Sequence, residues 1–239
     1  MNTRSLQTRI GLMYGAVFFL QVLIWFFFYR LAGYNDLIGA LMALVFLMTA
    51  VVLALANDLK IQRVGLQPPY LVEALEILVL AVVCVVIVGG ALGIFGAPLS
   101  LLRPHYSFHA FVSSLFLEAF GEQLLFAGVF YHLIARGFEH EDRWQAVLVV
   151  AVLYGIWQLP GALAVAIDQH SLGANFLINA TSPFLFWLIL GFFYYFSENL
   201  WLAVLMHATL VYPLTGYLMH SFGMRALFVV VTGAVLYWA

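Results

Sequence analysis

Charge is what this chain has least of. Only 8% of its 239 residues are Asp, Glu, Lys or Arg, and the formal net charge is −2. The nine Lys and Arg are scattered rather than clustered, so the basic patch of a nucleic-acid-binding protein is missing. Cysteine is almost absent too. The single Cys84 excludes an internal disulfide or a cysteine metal cluster, and within its apolar run it reads as inert packing. Internal repeats, low-complexity tracts and any soluble domain are also lacking.

What fills the chain instead is apolar. Hydrophobic residues make up 65%, aromatics 17%, and the mean hydropathy is +1.05. Repeated apolar runs near the length of a bilayer-spanning helix define an all-α, polytopic membrane protein. Hydropathy windows place about eight transmembrane helices, at 10–31, 37–56, 71–95, 108–136, 144–167, 174–196, 200–220 and 224–238, in a single transmembrane domain over 1–239. The first run is too long for a signal-peptide core and is expected to stay as a span. Arg4, Arg9, Lys60, Arg63, Arg136 and Arg143 fall on the N-terminal side of this layout, against Arg30, Arg103 and Arg225 on the other. Retention of Lys and Arg inside then predicts an integral protein of the plasma (inner) membrane with both termini cytoplasmic.

Two connections are longer than turns. Residues 57–70 read N-D-L-K-I-Q-R-V-G-L-Q-P-P-Y, which predicts a short interfacial helix ended by Gly65 and Pro68–Pro69. Residues 137–143 read G-F-E-H-E-D-R and predict a solvated loop.

Against this background Glu118 and Glu122 stand out. Both lie in an otherwise apolar window, where insertion scales charge about +2.5 to +3.5 kcal/mol for an Asp at the helix centre. The i, i+4 spacing predicts that both carboxylates point together into protein or a wet cavity, with Ser114 on the same stripe. Gly121 and Gly128 would allow close helix approach. Glu122 lies roughly 20 Å along the axis from Arg136, and Gln158 roughly 20 Å from Trp144. Pro160 would free a carbonyl near Ile156 and kink its helix. His207 sits in the run 200–210. Glu122, Gln158 and His207 could therefore meet at mid-membrane.

Taken singly, each residue has a plainer reading. A lone buried histidine is more often a hydrogen-bonded core group, an intramembrane Gln is interhelical glue, and a Glu pair can be a structural network. Together they suit a carboxylate acting as general base on water and a histidine donating to an oxyanion. A zinc site is poorly matched, since no H-E-x-x-H pair is present and one His with two Glu is a thin ligand set. No metal and no cofactor is expected.

Three segments in order sharpen this reading. G-E-Q-L-L-F-A-G-V-F-Y at 121–131, A-V-L-Y-G-I-W-Q-L-P-G-A at 151–162 and E-N-L-W-L-A-V-L-M-H-A at 198–208 resemble the successive motifs of the CAAX prenyl protease and bacteriocin-processing (CPBP, Abi-type) family of intramembrane proteases. Val64–Gly65–Leu66 after the second span also resembles that family, so the family-like core runs over 64–213. The resemblance implies an eight-helix bundle cleaving near membrane-bound or prenylated peptide ends. Glu122 matches the first Glu of E-E-x-x-x-R, which with a histidine would activate water. Gln123 replaces the second Glu, and Ala127 the Arg. In F-x-x-x-H this chain has Tyr154 and Gln158. In H-x-x-x-N, His207 matches and Val211 replaces the Asn. Glu118 lies outside the motifs and would support Glu122 from the next turn.

These departures predict a degenerate site, a pseudoenzyme that engages a membrane-embedded or prenylated peptide or protein with weak or no proteolysis. The alternative is a working glutamate-dependent endopeptidase using Glu122, Glu118 and His207. A third reading, an ion- or proton-coupled transporter, would want inverted repeats or paired broken helices, and neither is found.

Overall fold

Residues 3–28, 36–94, 112, 114–168, 173–212 and 222–238 are described by a computed structural model, and they are helical nearly throughout. No strand occurs among them. The helices in chain order are α1 (Thr3–Leu23, continuing as π-helix over Ile24–Phe28), α2 (Asp36–Ala56), α3 (Pro68–Ile94), α4 (114–135), α5 (Trp144–Asp168), α6 (Ala174–Ser197), α7 (Leu200–Val211) and α8 (Phe222–Trp238). Short 3-10 turns at Ile61–Val64 and His140–Asp142 fall in the two longer connections. Arg30 and Arg103, and the expected span ends at Leu31, Phe95, Phe108 and His220, lie outside the described residues.

Four helical stretches are long and apolar enough to cross a membrane, at Ser5–Phe26, Gln62–Ala91, His140–Ile167 and Phe176–Ser197. Ala43–Ala56, Leu200–Val211 and Gly223–Trp238 are apolar but shorter. Large apolar side chains lie open on these helices, including Leu12 (72% exposed), Ile87 (65%) and Val230 (67%). So many open apolar side chains on long apolar helices suit an apolar solvent, because soluble monomers expose few large apolar patches. A backbone hydrogen-bonded within each helix is also what the bilayer demands. The chain is an integral membrane protein.

The chain divides into two compact units. The first comprises Met1–Leu59 and Gly121–Tyr195, and so holds α1, α2, α4 from Gly121 onward, α5 and most of α6. Its helices close on glycines. A Cβ at Gly121 would stand 3.2 Å from the Leu47 backbone, one at Gly155 3.1 Å from Phe184 Cβ, and one at Gly161 2.9 Å from the Trp25 ring. Without a hydrophobic drive between helices in lipid, such close packing and buried polar contacts hold them together. Tyr14 donates to the Leu153 carbonyl at 2.8 Å, tying α1 to α5, and Arg9 donates to the Ala56 carbonyl at the end of α2, also at 2.8 Å. His132 and Tyr194 share a 2.7 Å hydrogen bond between α4 and α6. Pro160 sits inside α5 without ending it.

The second unit comprises Lys60–Phe120 and Phe196–Ala239, with α7 and α8 packed on α3 and α7 also against 114–119. Its most constrained point is Gly65. There φ is +71°, and a Cβ would stand 2.1 Å from the Glu198 carbonyl oxygen. Only glycine takes that conformation without penalty and lets the two backbones meet. Glu198 itself adopts φ 49° as the chain turns into α7. Asn199, fully buried, then serves twice: Oδ1 caps the helix by accepting from Leu202 N (3.2 Å), and Nδ2 donates to the Tyr70 carbonyl (2.8 Å).

Candidate functional site

α4 is wound unusually. It runs as π-helix over Ser114–Ala119, as a single α turn over Phe120–Gln123 and as π-helix again over Leu124–Tyr131. Insertions of π winding into helices mark functional sites more often than chance. The winding bears on the four-residue spacing expected along this helix. With i→i+5 turns on either side of one α turn, a four-residue step no longer defines a single stripe. Glu118 is exposed and accepts from Ser114 Oγ at 3.3 Å, whereas Glu122 is buried at 9% exposure.

Glu122 is met by α5. Tyr154 Oη donates to Glu122 Oε2 at 2.6 Å, and Gln158 Nε2 donates to Tyr154 Oη at 3.1 Å. Tyr154 and Gln158 are one helical turn apart, so both face the same neighbour. The phenol has one proton, committed to the carboxylate, and the amide therefore presents its N–H side. This three-residue line sits beside a wall of rings. Tyr154 packs edge-on to Phe126 with ring centroids 5.0 Å apart, and lies 5.7 Å from Trp157 and 6.4 Å from Trp187. Phe126, Trp157 and Trp187 are themselves essentially inaccessible. In such low-polarity surroundings a hydrogen bond is stronger and its loss more costly than in water.

The structure therefore brings Glu122 and Gln158 together through Tyr154. It buries Gln123 and Ala127 completely on the same helix as Glu122. His207 belongs to the second unit, buried at 2% exposure on α7 behind the Asn199 cap. Val211, the last residue of α7, is 46% exposed. The role of Tyr154 was missed in reading the sequence, where it was only the residue at an aromatic motif position. The available signal was its place four residues before Gln158, at nearly the depth of Glu122.

Residues 104–212 match the family model described as Rce1-like, type II CAAX prenyl endopeptidase Rce1-like. The match takes in all three motif segments, so over these residues the chain is similar to the type II CAAX prenyl endopeptidases. Neither a curated protein nor a solved structure matches the chain.

Proposed function

We propose that this CAAX-protease-like membrane protein binds a membrane-embedded or prenylated peptide or protein and holds it with weak or no cleavage. The observation that carries the reading is the partner of Glu122. Where the family motif has a histidine, this chain has Gln158, whose amide donates to Tyr154. An amide can orient a hydroxyl or a water but cannot accept its proton at neutral pH. Loss of an acid–base partner costs about 100- to 10,000-fold in rate. Val211 adds to this, because a missing oxyanion donor costs about 100- to 1,000-fold. Binding makes fewer demands, since it needs the helical scaffold more than those particular side chains.

The same reading takes the chain as one transmembrane domain of eight spans in the plasma (inner) membrane, with both termini cytoplasmic. Its support is the eight apolar windows, each of which overlaps a described helix, and the six-to-three bias of Lys and Arg. A second reading, an active endopeptidase using Glu122 with Glu118 and His207, draws on the burial of Glu122 and its oriented carboxylate.

The deciding experiment is a proteoliposome screen against prenylated and leader-type peptides, with native protein and Glu122→Ala side by side. The holding role predicts retention of a labelled peptide and no cleavage that depends on Glu122. Rapid cleavage by native protein, lost in Glu122→Ala, would establish the endopeptidase instead.

A further inference from the structure

One oxygen bridges Glu122 and Gln158. The Tyr154 hydroxyl gives its proton to Glu122 Oε2 at 2.6 Å and receives an N–H from Gln158 Nε2 at 3.1 Å. A water lodged between the same two side chains would make the same pair of bonds, donating once and accepting once. A general base acts only on a proton within hydrogen-bond reach, about 2.6–3.2 Å between heavy atoms. At Oε2 of Glu122 that reach is taken by a phenol. The phenol is fixed at the far end of a ring packed against Phe126, Trp157 and Trp187, so it cannot diffuse away as a water does.

We propose that the Tyr154 hydroxyl is a resident stand-in for the water on which Glu122 would act, occupying the proton-accepting edge of the carboxylate. The inference rests on reading Glu122 as the base of this site, and it deepens the holding role by naming the group that keeps reactive water from Oε2. Tyr154 is thus a positioning residue rather than a catalytic one. It orients the carboxylate, and Gln158 orients it in turn. A consequence follows for the motif. An imidazole placed at position 158 would meet the same hydroxyl, so regaining the histidine alone leaves the edge of Glu122 occupied.

The test reads the carboxylate directly. Full-length protein in proteoliposomes is treated with a hydrophobic carbodiimide, which attacks protonated carboxyl groups in apolar surroundings, and adducts at Glu122 and Glu118 are followed by peptide mass spectrometry. Native protein is compared with Tyr154→Phe, which keeps the ring and removes only the hydroxyl, and with Gln158→Ala, which removes the second tether. Tyr154→Phe is expected to label at Glu122 about tenfold faster, the equilibrium factor commanded by a hydrogen bond to a charged group. Gln158→Ala should give a smaller rise in the same direction. Glu118, exposed and bonded to Ser114, serves as the internal standard and should label alike in all three. Equal labelling of Glu122 in native and both variants, with Glu118 unchanged, would overturn the proposal. If Tyr154→Phe does not accumulate in the membrane, the Gln158→Ala comparison decides by itself. Cleavage of a prenylated peptide is scored on the same liposomes. Fast native cleavage would defeat the holding role, whereas the labelling ratio separately reports who occupies Oε2.

Discussion

Tyr154 Oη donates to Glu122 Oε2 at 2.6 Å across a separation of 32 residues, joining α5 to the irregular helix α4 at a buried carboxylate. Neither residue explains the contact alone. A glutamate in an apolar helix must find donors, and a tyrosine facing that helix must find an acceptor, because an unmet polar group in hydrocarbon surroundings costs several kcal/mol. Each satisfies the other, and Gln158 supplies the next donor in the line. What results is well suited to holding a carboxylate in one orientation and poorly suited to passing protons onward.

Restoring the second and third motifs should need three changes. Gln158→His with Val211→Asn supplies a proton acceptor and an oxyanion donor, and Tyr154→Phe clears Oε2. The triple variant is expected to cleave a prenylated peptide about 100-fold faster than native protein, since each restored group is worth at least that factor in a working site. The Gln158→His/Val211→Asn pair with Tyr154 retained should stay near the native rate. Equal rates for the pair and the triple variant would show that the tyrosine hydroxyl is no obstacle.

Gly65→Ala should destabilise the second unit. The alanine would have to hold φ near +71° with its Cβ 2.1 Å from a backbone oxygen that has no flexible end to swing away. A positive φ alone costs an L-residue about 1–2 kcal/mol, and the clash adds to it. Thermal unfolding in detergent should move down clearly for Gly65→Ala and hardly at all for Gly90→Ala, where a Cβ meets nothing within 4 Å.

Asn199→Ala removes both the cap of α7 and the bond to the Tyr70 carbonyl. The expected loss is about 2 kcal/mol, near 1 for the cap and near 1 for the buried donor. Asn199→Ser keeps an oxygen able to cap α7 and loses the amide donor to Tyr70, so its denaturation midpoint should fall between those of native protein and Asn199→Ala.

Topology is checked with reporter fusions. A reporter at the C-terminus and one inserted after Ser171 are expected on opposite sides of the membrane, as an eight-span layout with cytoplasmic termini requires. Both on the same side would reject that layout.

Much of this protein could be read without coordinates. Apolar windows located the helices because a span must be about 20 residues long and nearly uncharged, a constraint written in composition alone. The three ordered segments pointed to the family, and the match over 104–212 agrees. Glu118 shows where such reading stops. A four-residue step looked like one face because an α-helical repeat was assumed. The winding of α4 departs from that repeat on both sides of Phe120–Gln123. The choice between i→i+4 and i→i+5 bonding depends on what each turn packs against, and no local propensity carries it.

The sequence by itself determined that this is a helical membrane protein, that Glu122 and Gln158 are buried-site candidates, and that the motifs lack a histidine at 158 and an asparagine at 211. Those conclusions follow from residue identity, counted spacing and the energetics of charge in lipid. Only the tertiary structure decided that Tyr154 stands between Glu122 and Gln158, and that Gly65 lies directly against the turn at Glu198. Both are contacts between residues far apart in the chain, and a hydrogen bond or a steric contact at a few ångströms is set by how helices rotate and approach. Composition and periodicity fix which face of a helix is apolar, but they leave that rotation open to within a residue or two, which is enough to exchange one partner for another.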